Sequence, residues 1–212
     1  MRAVLWDLDG TLADSRDFHW RAWHETMRGA GVEISEAQFA AGFGQRNDAI
    51  LTAWLGAAAT PARIREIGDA KEARYRQYIE REGIVPLPGA AAWVRRLHAA
   101  GWRQAIASSA PRQNVEVMHR VLGFAGAIDT LVGAEDVARG KPEPDVFLTA
   151  ASRLGALPSH SVVVEDADAG IEAARRAGMR CIGVGRTECA GADLSVLSLA
   201  DLPDDAFDQL IA

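Results

Sequence analysis

The chain has 212 residues, a formal net charge of −6 at pH 7, 49% hydrophobic residues and 25% charged residues. This length suits one core domain with a smaller accessory unit, and this composition excludes a wholly disordered chain. Because the negative charge is accompanied by no basic run, we expect neither nucleic acid nor a membrane surface as a partner, and we infer no obligate protein partner.

Apolar segments and cysteines narrow the possible classes of protein further. No apolar stretch is long enough for a signal segment or a bilayer crossing, so we expect a cytoplasmic protein. The only cysteines, Cys181 and Cys189, are too few to imply a disulfide framework or a zinc site. Only two of the 23 basic residues are lysines, Lys71 and Lys141, which makes a retained lysine a candidate for a chemical role.

Short β-rich apolar runs recur along the chain, and each ends in a polar or glycine-containing turn. They predict strands at 3–6, 104–107, 130–133, 161–164 and 181–184. Helical patterns lie between them, most clearly at 90–100 and at 169–177, the second ending before Gly178. This alternation is typical of βαβ units, so we predict an α/β protein with a parallel sheet.

The segment 15–82 interrupts the alternation, because it contains helical patterns without a convincing strand. Ser35 precedes a helix predicted at 36–41, and Thr60 followed by a proline opens a longer one. Two prolines and two glycines within 83–89 suit a linker back to the sheet. We therefore predict a core domain of 1–14 and 83–212, with an inserted helical domain of 15–82.

Two carboxylates follow the first predicted strand, in the stretch Asp7-Leu8-Asp9-Gly10-Thr11. The two-residue period of extended backbone places Asp7 and Asp9 on one side, and Gly10 permits a turn directly after them. Carboxylates held so close either raise a pKa or attract a cation, and both outcomes serve acid–base chemistry. An acidic turn with helix caps is the alternative interpretation.

A second acidic cluster, Glu165-Asp166-Ala167-Asp168, follows the strand predicted at 161–164. Asp168 is explained by the helix that starts there, because an acidic first turn complements the helix dipole. Glu165 and Asp166 instead stand at the carboxyl end of a strand, where open α/β sheets build ligand sites. Two acidic strand ends in one small sheet predict a hard-cation site suited to Mg²⁺.

A hydroxyl and an amine complete the candidate residues. Ser108, at the end of the strand 104–107, offers an oxygen anion a donor beside a helix N-terminus. An N-cap serine is an equal alternative for Ser108 and the favoured interpretation of Ser109. Lys141 lies between Gly140 and Pro142 in a loop with two prolines, where its ammonium suits neutralising a phosphate; a solvated surface lysine is the alternative.

In chain order these motifs are Asp-x-Asp-Gly-Thr, a strand-end serine, Lys-Pro-x-Pro-Asp and Glu-Asp-x-x-x-Gly-Ile-x-Ala. This order resembles the four motifs of the haloacid dehalogenase-like superfamily, and the resemblance covers nearly the whole chain. It implies a Rossmann-like parallel sheet core with an inserted all-helical cap domain, as in the subfamily that contains small-molecule phosphatases and β-phosphoglucomutase.

The resemblance also implies a catalytic mechanism and a cofactor. Asp7 is implied to attack phosphorus and form an aspartyl phosphate, while Asp9 protonates the leaving oxygen and then deprotonates water. Mg²⁺ is the implied cofactor, held by Asp7, the backbone carbonyl of Asp9 and Asp166, with Glu165 close by.

Substrate contacts are implied in both domains. Thr11, Ser108 and Lys141 are implied to bind the transferring phosphoryl group. In the helical domain, Arg46 is a candidate for binding an anionic group of the substrate, with a solvated arginine as the alternative. His19 resembles a residue at the cap hinge of β-phosphoglucomutase, and its position on a predicted helix also suits a packed interface.

Several activities remain to be distinguished. Asp9 and the pair Glu165-Asp166 favour attack on phosphorus over dehalogenation, which needs neither a metal nor a second acid. The residues 110–112 are Ala-Pro-Arg, where β-phosphoglucomutase is expected to carry Ser-Lys-Asn for a distal phosphate. We therefore favour hydrolysis of a small phosphorylated metabolite, such as a sugar phosphate, over a phosphosugar mutase. A non-catalytic Mg²⁺-binding regulator and a protein-interaction module are the alternatives of other classes.

Overall fold

The computed structural model describes residues 1–211 and contains a six-stranded sheet with helices. The strands are β1 (Ala3–Trp6), β2 (Arg103–Ala107), β3 (Thr130–Val132), β4 (Ser161–Glu165), β5 (Arg180–Val184) and β6 (Leu194–Val196). They lie in the order β3-β2-β1-β4-β5-β6, and every pair is parallel. The predicted α/β class with a Rossmann-like parallel sheet is confirmed.

The helices lie in the segment that follows β1, between later strands and, for the last one, after β6. They are α1 (Arg16–Gly29), α2 (Glu36–Gly42), α3 (Asn47–Leu55), α4 (Pro61–Glu82), α5 (Ala90–Ala99), α6 (Arg112–Val121), α7 (Asp145–Leu154), α8 (Asp168–Arg176) and α9 (Ala206–Leu210). Among the described residues, no helix combines the length and the apolar character that crossing a membrane requires.

Five of the six strands coincide with the predicted apolar runs, with ends displaced by one residue at most. The sixth, β6, was not predicted, because it has only three half-buried residues and no helix separates it from β5. Ser35 and Thr60 cap α2 and α4 as predicted, each accepting a backbone N–H three residues on. The prediction for Ser109 is wrong: α6 begins at Arg112 and its N-cap is Pro111.

The chain divides into two compact units. The core unit comprises Met1–Asp14 and the described residues from Ile84 onward, and the helical unit comprises Ser15–Gly83. Gly83 thus falls in the helical unit, one residue beyond the predicted boundary.

Each unit has its own apolar core. In the core unit, the central strands β1 and β4 are buried along their whole length, which explains why they read as continuous apolar runs rather than as alternating ones. In the helical unit, Trp23, Met27, Phe39, Leu51 and other apolar side chains from α1 to α4 pack together.

Candidate active site

The candidate active site lies at the carboxyl edge of the sheet, where β1 and β4 run side by side. Their register pairs Trp6 with Val164, and the backbone N–H of Asp7 donates to the Val164 carbonyl at 2.9 Å. Asp7, directly after β1, and Glu165, the last residue of β4, therefore lie at equivalent positions on neighbouring strands. Parallel pairing brings together residues that are far apart in the sequence.

Three carboxylates converge at this edge. Asp7, Glu165 and Asp166 each offer an oxygen atom, and these atoms lie within 4.8 Å of one another. Asp7 is 6% exposed and Glu165 is 1% exposed, while Asp166 is partly buried. Removal of water and mutual repulsion both penalise the charged forms of such a group, so the cluster favours either protonation or a neighbouring positive charge.

The pKa shifts follow this expectation. Burial, reinforced by the charge of Asp7, raises the pKa of Glu165 to about 8 and that of Asp166 to about 7. Burial also raises the pKa of Asp7 above its ordinary value, although Lys141 opposes the shift; the charge of Asp9 adds to it. Crowding of like charges in a dry site is typical of catalytic centres.

Lys141 supplies a positive charge inside the cluster. Its ammonium forms ion pairs with Asp7 Oδ1 and, at 2.8 Å, with Glu165 Oε2. The side chain is 7% exposed and its Nζ lies 4.9 Å from the centre of the Phe147 ring. Burial alone would lower the pKa of Lys141, but the two carboxylates outweigh burial and raise it. The alternative of a solvated surface lysine is therefore wrong.

Two glycines make room for the acidic side chains. A Cβ atom on Gly10, whose φ is +92°, would lie 2.3 Å from Asp166 Oδ2, and one on Gly170 would lie 2.1 Å from Glu165 Cδ. Neither contact is sterically possible, so a glycine at each position allows the carboxylate to approach the backbone. The second glycine belongs to the fourth motif and lies in the first turn of α8.

Asp9 and Thr11 follow β1 in the turn around Gly10. The carboxylate of Asp9 is not among the three that cluster, but it is near enough to raise the pKa of Asp7. Asp9 forms an isolated backbone bridge with Ala13. Thr11 is fully buried, and its hydroxyl donates to Asp166 Oδ1 at 3.2 Å. In this structure the Thr11 hydroxyl thus orients an acidic side chain of the cluster.

Ser108 directly follows β2, the strand that pairs with β1 on the side opposite β4. It is 2% exposed, its N–H donates to the Val132 carbonyl, and its Oγ accepts the N–H of Ala110 at 3.0 Å. The side chain is not an N-cap, because α6 begins four residues later at Arg112. Ser108 is therefore fixed at the carboxyl edge of β2, next to the strand that carries Asp7.

Arg46 and His19 belong to the helical unit. Arg46 is the residue before α3, and its side chain is 38% exposed with Asp48 3.7 Å away. His19 is 9% exposed and stacks on Tyr75 with ring centres 4.1 Å apart. The observed contacts of His19 agree with the packing interpretation.

Lys71, the second lysine, is a buried residue of the helical unit for which the sequence indicated no specific role. It is 1% exposed, and its Nζ lies 2.8 Å from both His19 Nδ1 and Glu72 Oε1. Asn47 Nδ2 also donates to Glu72 Oε1, at 2.7 Å. The scarcity of lysine was the available signal, but helical spacing cannot show that a charged side chain points into a core.

The donor set of the cluster fits a divalent cation. When all three are ionised, the carboxylates carry a charge of −3 and Lys141 carries +1, which leaves two negative charges that a divalent cation would compensate. Carboxylate oxygens are the ligands that Mg²⁺ prefers, and protein sites for it use one or two carboxylates together with substrate phosphate.

Comparisons with known proteins identify the family of this chain. The family model described as haloacid dehalogenase-like hydrolase matches residues 1–178. The chain belongs to the haloacid dehalogenase-like hydrolase family. The resemblance predicted from the four motifs is confirmed, and with it the prediction of an enzyme.

Relatives within this family act in phosphoryl chemistry, according to their names. The chain is 35% identical to hexitol phosphatase A of Escherichia coli over 99% of this chain and 93% of that protein. It is 32% identical to beta-phosphoglucomutase of Bacillus subtilis over 95% of this chain and 92% of that protein. The family therefore includes both phosphatases and a mutase among close relatives.

A solved crystal structure shares the fold of nearly all of this chain. The crystal structure of CbbY from Rhodobacter sphaeroides in complex with phosphate matches with a TM-score of 0.90 and 30% sequence identity. The match covers 98% of this chain and 99% of that one.

Proposed function

We propose that this chain is a Mg²⁺-dependent phosphatase that hydrolyses a small phosphorylated metabolite, such as a sugar phosphate, through an aspartyl phosphate on Asp7. The observation that carries the proposal is the convergence of Asp7, Glu165, Asp166 and Lys141 in one cluster at the edge of the sheet. The relatives named hexitol phosphatase A and beta-phosphoglucomutase support a phosphorylated substrate of this kind.

The metal would be held by Asp7, the backbone carbonyl of Asp9 and Asp166, with Glu165 close by. Their hard oxygen donors and uncompensated negative charge support this assignment. When bound, Mg²⁺ would offset the negative charge of the phosphoryl oxygens and of the carboxylates.

The first half of the proposed reaction transfers the phosphoryl group to the protein. A carboxylate oxygen of Asp7 forms a bond to phosphorus as the bond to the leaving oxygen breaks. Asp9 gives its proton to that oxygen, so the product leaves as an alcohol. Lys141 and Ser108 hold the phosphoryl oxygens by charge and by hydrogen bonding, because this chemistry depends mainly on positioning and charge neutralisation.

The second half releases phosphate. Asp9, now ionised, takes a proton from a water molecule, whose oxygen forms a bond to phosphorus. The bond between phosphorus and Asp7 breaks at the same time. Inorganic phosphate is produced, the Asp7 carboxylate is restored and Asp9 regains its proton.

The loop after β2 supports a phosphatase over a phosphosugar mutase. Pro111 has no N–H to offer a distal phosphate. The Arg112 guanidinium is engaged by the Leu131 carbonyl and Asp136, both at 3.0 Å, and by Glu116. A mutase must retain a second phosphate, and this stretch is occupied with internal contacts instead.

The decisive experiment measures phosphate release from a panel of phosphorylated metabolites, with and without Mg²⁺. We expect Mg²⁺-dependent release, and we expect Asp9→Asn to lower the rate about 10² to 10⁴-fold because it removes the general acid and base. Asp208→Asn is the matched control, since that carboxylate is 60% exposed and pairs with Arg2 on the surface. The control is expected to keep the wild-type rate.

Product analysis distinguishes the alternatives. Incubation with β-glucose 1-phosphate that yields glucose 6-phosphate instead of free phosphate would identify a mutase. If no substrate turns over and Mg²⁺ binding does not change in Asp9→Asn, a non-catalytic regulator is the better description.

A further inference from the structure

Arg186 connects the loop after β5 to the acidic loop after β4. The register of these strands pairs Glu165 with Gly183, so the two loops leave the sheet side by side. Arg186 Nη2 donates to the backbone carbonyl of Asp166 at 3.1 Å and to Asp168 Oδ1 at 2.6 Å. One guanidinium therefore holds two points of the segment that carries the fourth motif.

The other contacts of this segment fix the orientation of the Asp166 side chain. Its Oδ1 accepts the Thr11 hydroxyl at 3.2 Å, while its backbone carbonyl accepts from Arg186. The neighbouring Ala167 N–H donates to Glu165 Oε1 at 3.2 Å. Arg186 thus holds the backbone carbonyl of Asp166, while the Asp166 carboxylate belongs to the cluster.

We propose that Arg186 is a positioning residue for the divalent-cation site, acting through the Asp166 carbonyl and the start of α8. This inference rests on the proposed function, because it takes Asp166 as a ligand of the metal. Hydrogen bonds that orient ligand residues commonly contribute 10-fold to 100-fold to metal affinity. Among the described residues, the hydrogen bonds of Arg186 reach Asp166 and Asp168 and neither Asp7 nor Glu165, so its effect passes through Asp166.

The competing explanation is an ordinary surface ion pair. Arg186 and Asp168 have side chains that are 44% and 74% exposed, and such pairs contribute little to stability. The two explanations differ in one measurable quantity, the affinity for the cation. A surface ion pair with no positioning role leaves this affinity unchanged.

The test is a calorimetric titration of the full chain with Mg²⁺, without substrate. We expect Arg186→Ala to raise the dissociation constant about 10-fold. Arg175→Ala is the matched control, because Arg175 is an exposed arginine that pairs with Glu172 on the same helix, α8. We expect the control to bind Mg²⁺ like the wild type.

Arg186→Lys provides a second, milder variant that keeps the positive charge. A single ammonium on a flexible chain cannot reproduce both hydrogen bonds, so we expect a dissociation constant between those of the wild type and Arg186→Ala. In phosphate-release assays, the rate lost by Arg186→Ala is expected to return as Mg²⁺ is raised to saturation. A purely structural defect would not be recovered in this way.

The outcomes separate the two proposals. If the wild type binds Mg²⁺ and both Arg186 variants bind it within twofold of the wild type, the positioning role is wrong and the proposed function stands. If the wild type binds no Mg²⁺, the metal site and the role of Arg186 fall together. Equal weakening in Arg175→Ala would show a general effect of surface charge and would also overturn the inference.

Discussion

At the scale of single residues, the approach of Glu165 to the backbone of α8 depends on the missing side chain of Gly170. The nearest atoms to a Cβ at this position are all in the Glu165 side chain, between 2.1 and 2.4 Å away. Glu165 is enclosed, so it has little freedom to move aside. The glycine of the fourth motif is therefore required by its packing against Glu165.

We expect Gly170→Ala to lower the free energy of unfolding by about 1 to 3 kcal/mol, the usual cost of overpacking, and to reduce phosphate release. Gly29→Ala is the control: Gly29 ends α1, and a Cβ there would meet nothing within 4 Å. Denaturation in urea measures the free energy of unfolding of both variants. Equal free energies of unfolding for the two variants would contradict the packing argument.

The positions of some site residues could be predicted from the sequence because they directly follow predicted strands. Asp7 and Glu165 could be placed together because each follows an apolar run, and parallel strands present their carboxyl ends on one edge. The hydrogen bond from Thr11 to Asp166 and the buried position of Lys71 could not be predicted in this way. Both depend on which side chains meet across segments that no sequence period relates.

At the scale of elements, the turn from Gly133 to Asp136 is fastened to the helices on either side. Asp136 accepts from Arg153 at 2.5 Å, from Arg112 at 3.0 Å and from the Gly133 N–H at 2.9 Å. Burial acts to raise the pKa of Asp136, but these hydrogen bonds outweigh it and lower the pKa to about 2. The folded state therefore favours the ionised carboxylate more than the unfolded state does.

A folded-state pKa below the unfolded value gives stability that is present above about pH 4 and is lost as the pH falls toward 2. We expect Asp136→Asn to lower the free energy of unfolding by about 1 kcal/mol at pH 7, after allowance for solvent screening. The difference from wild type should shrink through this acidic range. Asp204→Asn is the control, because the Asp204 side chain is 89% exposed in its ion pair with Arg96; this variant should show almost no difference at either pH.

Element boundaries were predictable to the extent that they depend on caps and apolar runs. Ser35 and Thr60 mark their helices because a side-chain oxygen accepts an N–H of the first turn. β6 gave no comparable signal, since Leu194-Ser195-Val196 is short and half-buried and lies at the sheet edge. Its place is set by pairing with β5, which is a tertiary contact.

At the scale of the whole molecule, a cation that binds the folded chain and not the unfolded chain must stabilise the folded state. With Mg²⁺ at 100 times its dissociation constant, the stabilisation is about 2.7 kcal/mol. For a chain of this size, that corresponds to a rise of about 5 to 10 °C in the midpoint of thermal unfolding.

We expect this rise in the wild type and its loss in Asp166→Asn, measured by calorimetric or fluorescence scans. Asp193→Asn is the control. Asp193 lies outside the acidic cluster and pairs with Arg180 at the start of β5, so this variant should keep the rise. A midpoint that does not respond to Mg²⁺ in the wild type would argue against a cation site at this edge.

The insertion of a helical segment after β1 could be predicted because the alternation of strands and helices stops there. The fold class followed from the same alternation. The assignment of the family depended on four motifs in order, and composition alone would not have distinguished this chain from other α/β proteins. The substrate depends on the three-dimensional shape of its binding surface, which residue spacing does not encode.

The burial of both lysines has a practical consequence for chemical labelling. The side chains of Lys71 and Lys141 are 2% and 7% exposed, so the folded protein shields both ε-amines from acylating reagents such as N-hydroxysuccinimide esters. Acylation at these two positions would therefore report opening of the fold. Because Lys71 lies in the helical unit and Lys141 in the core unit, mass spectrometry of the modified peptides would follow the two units separately.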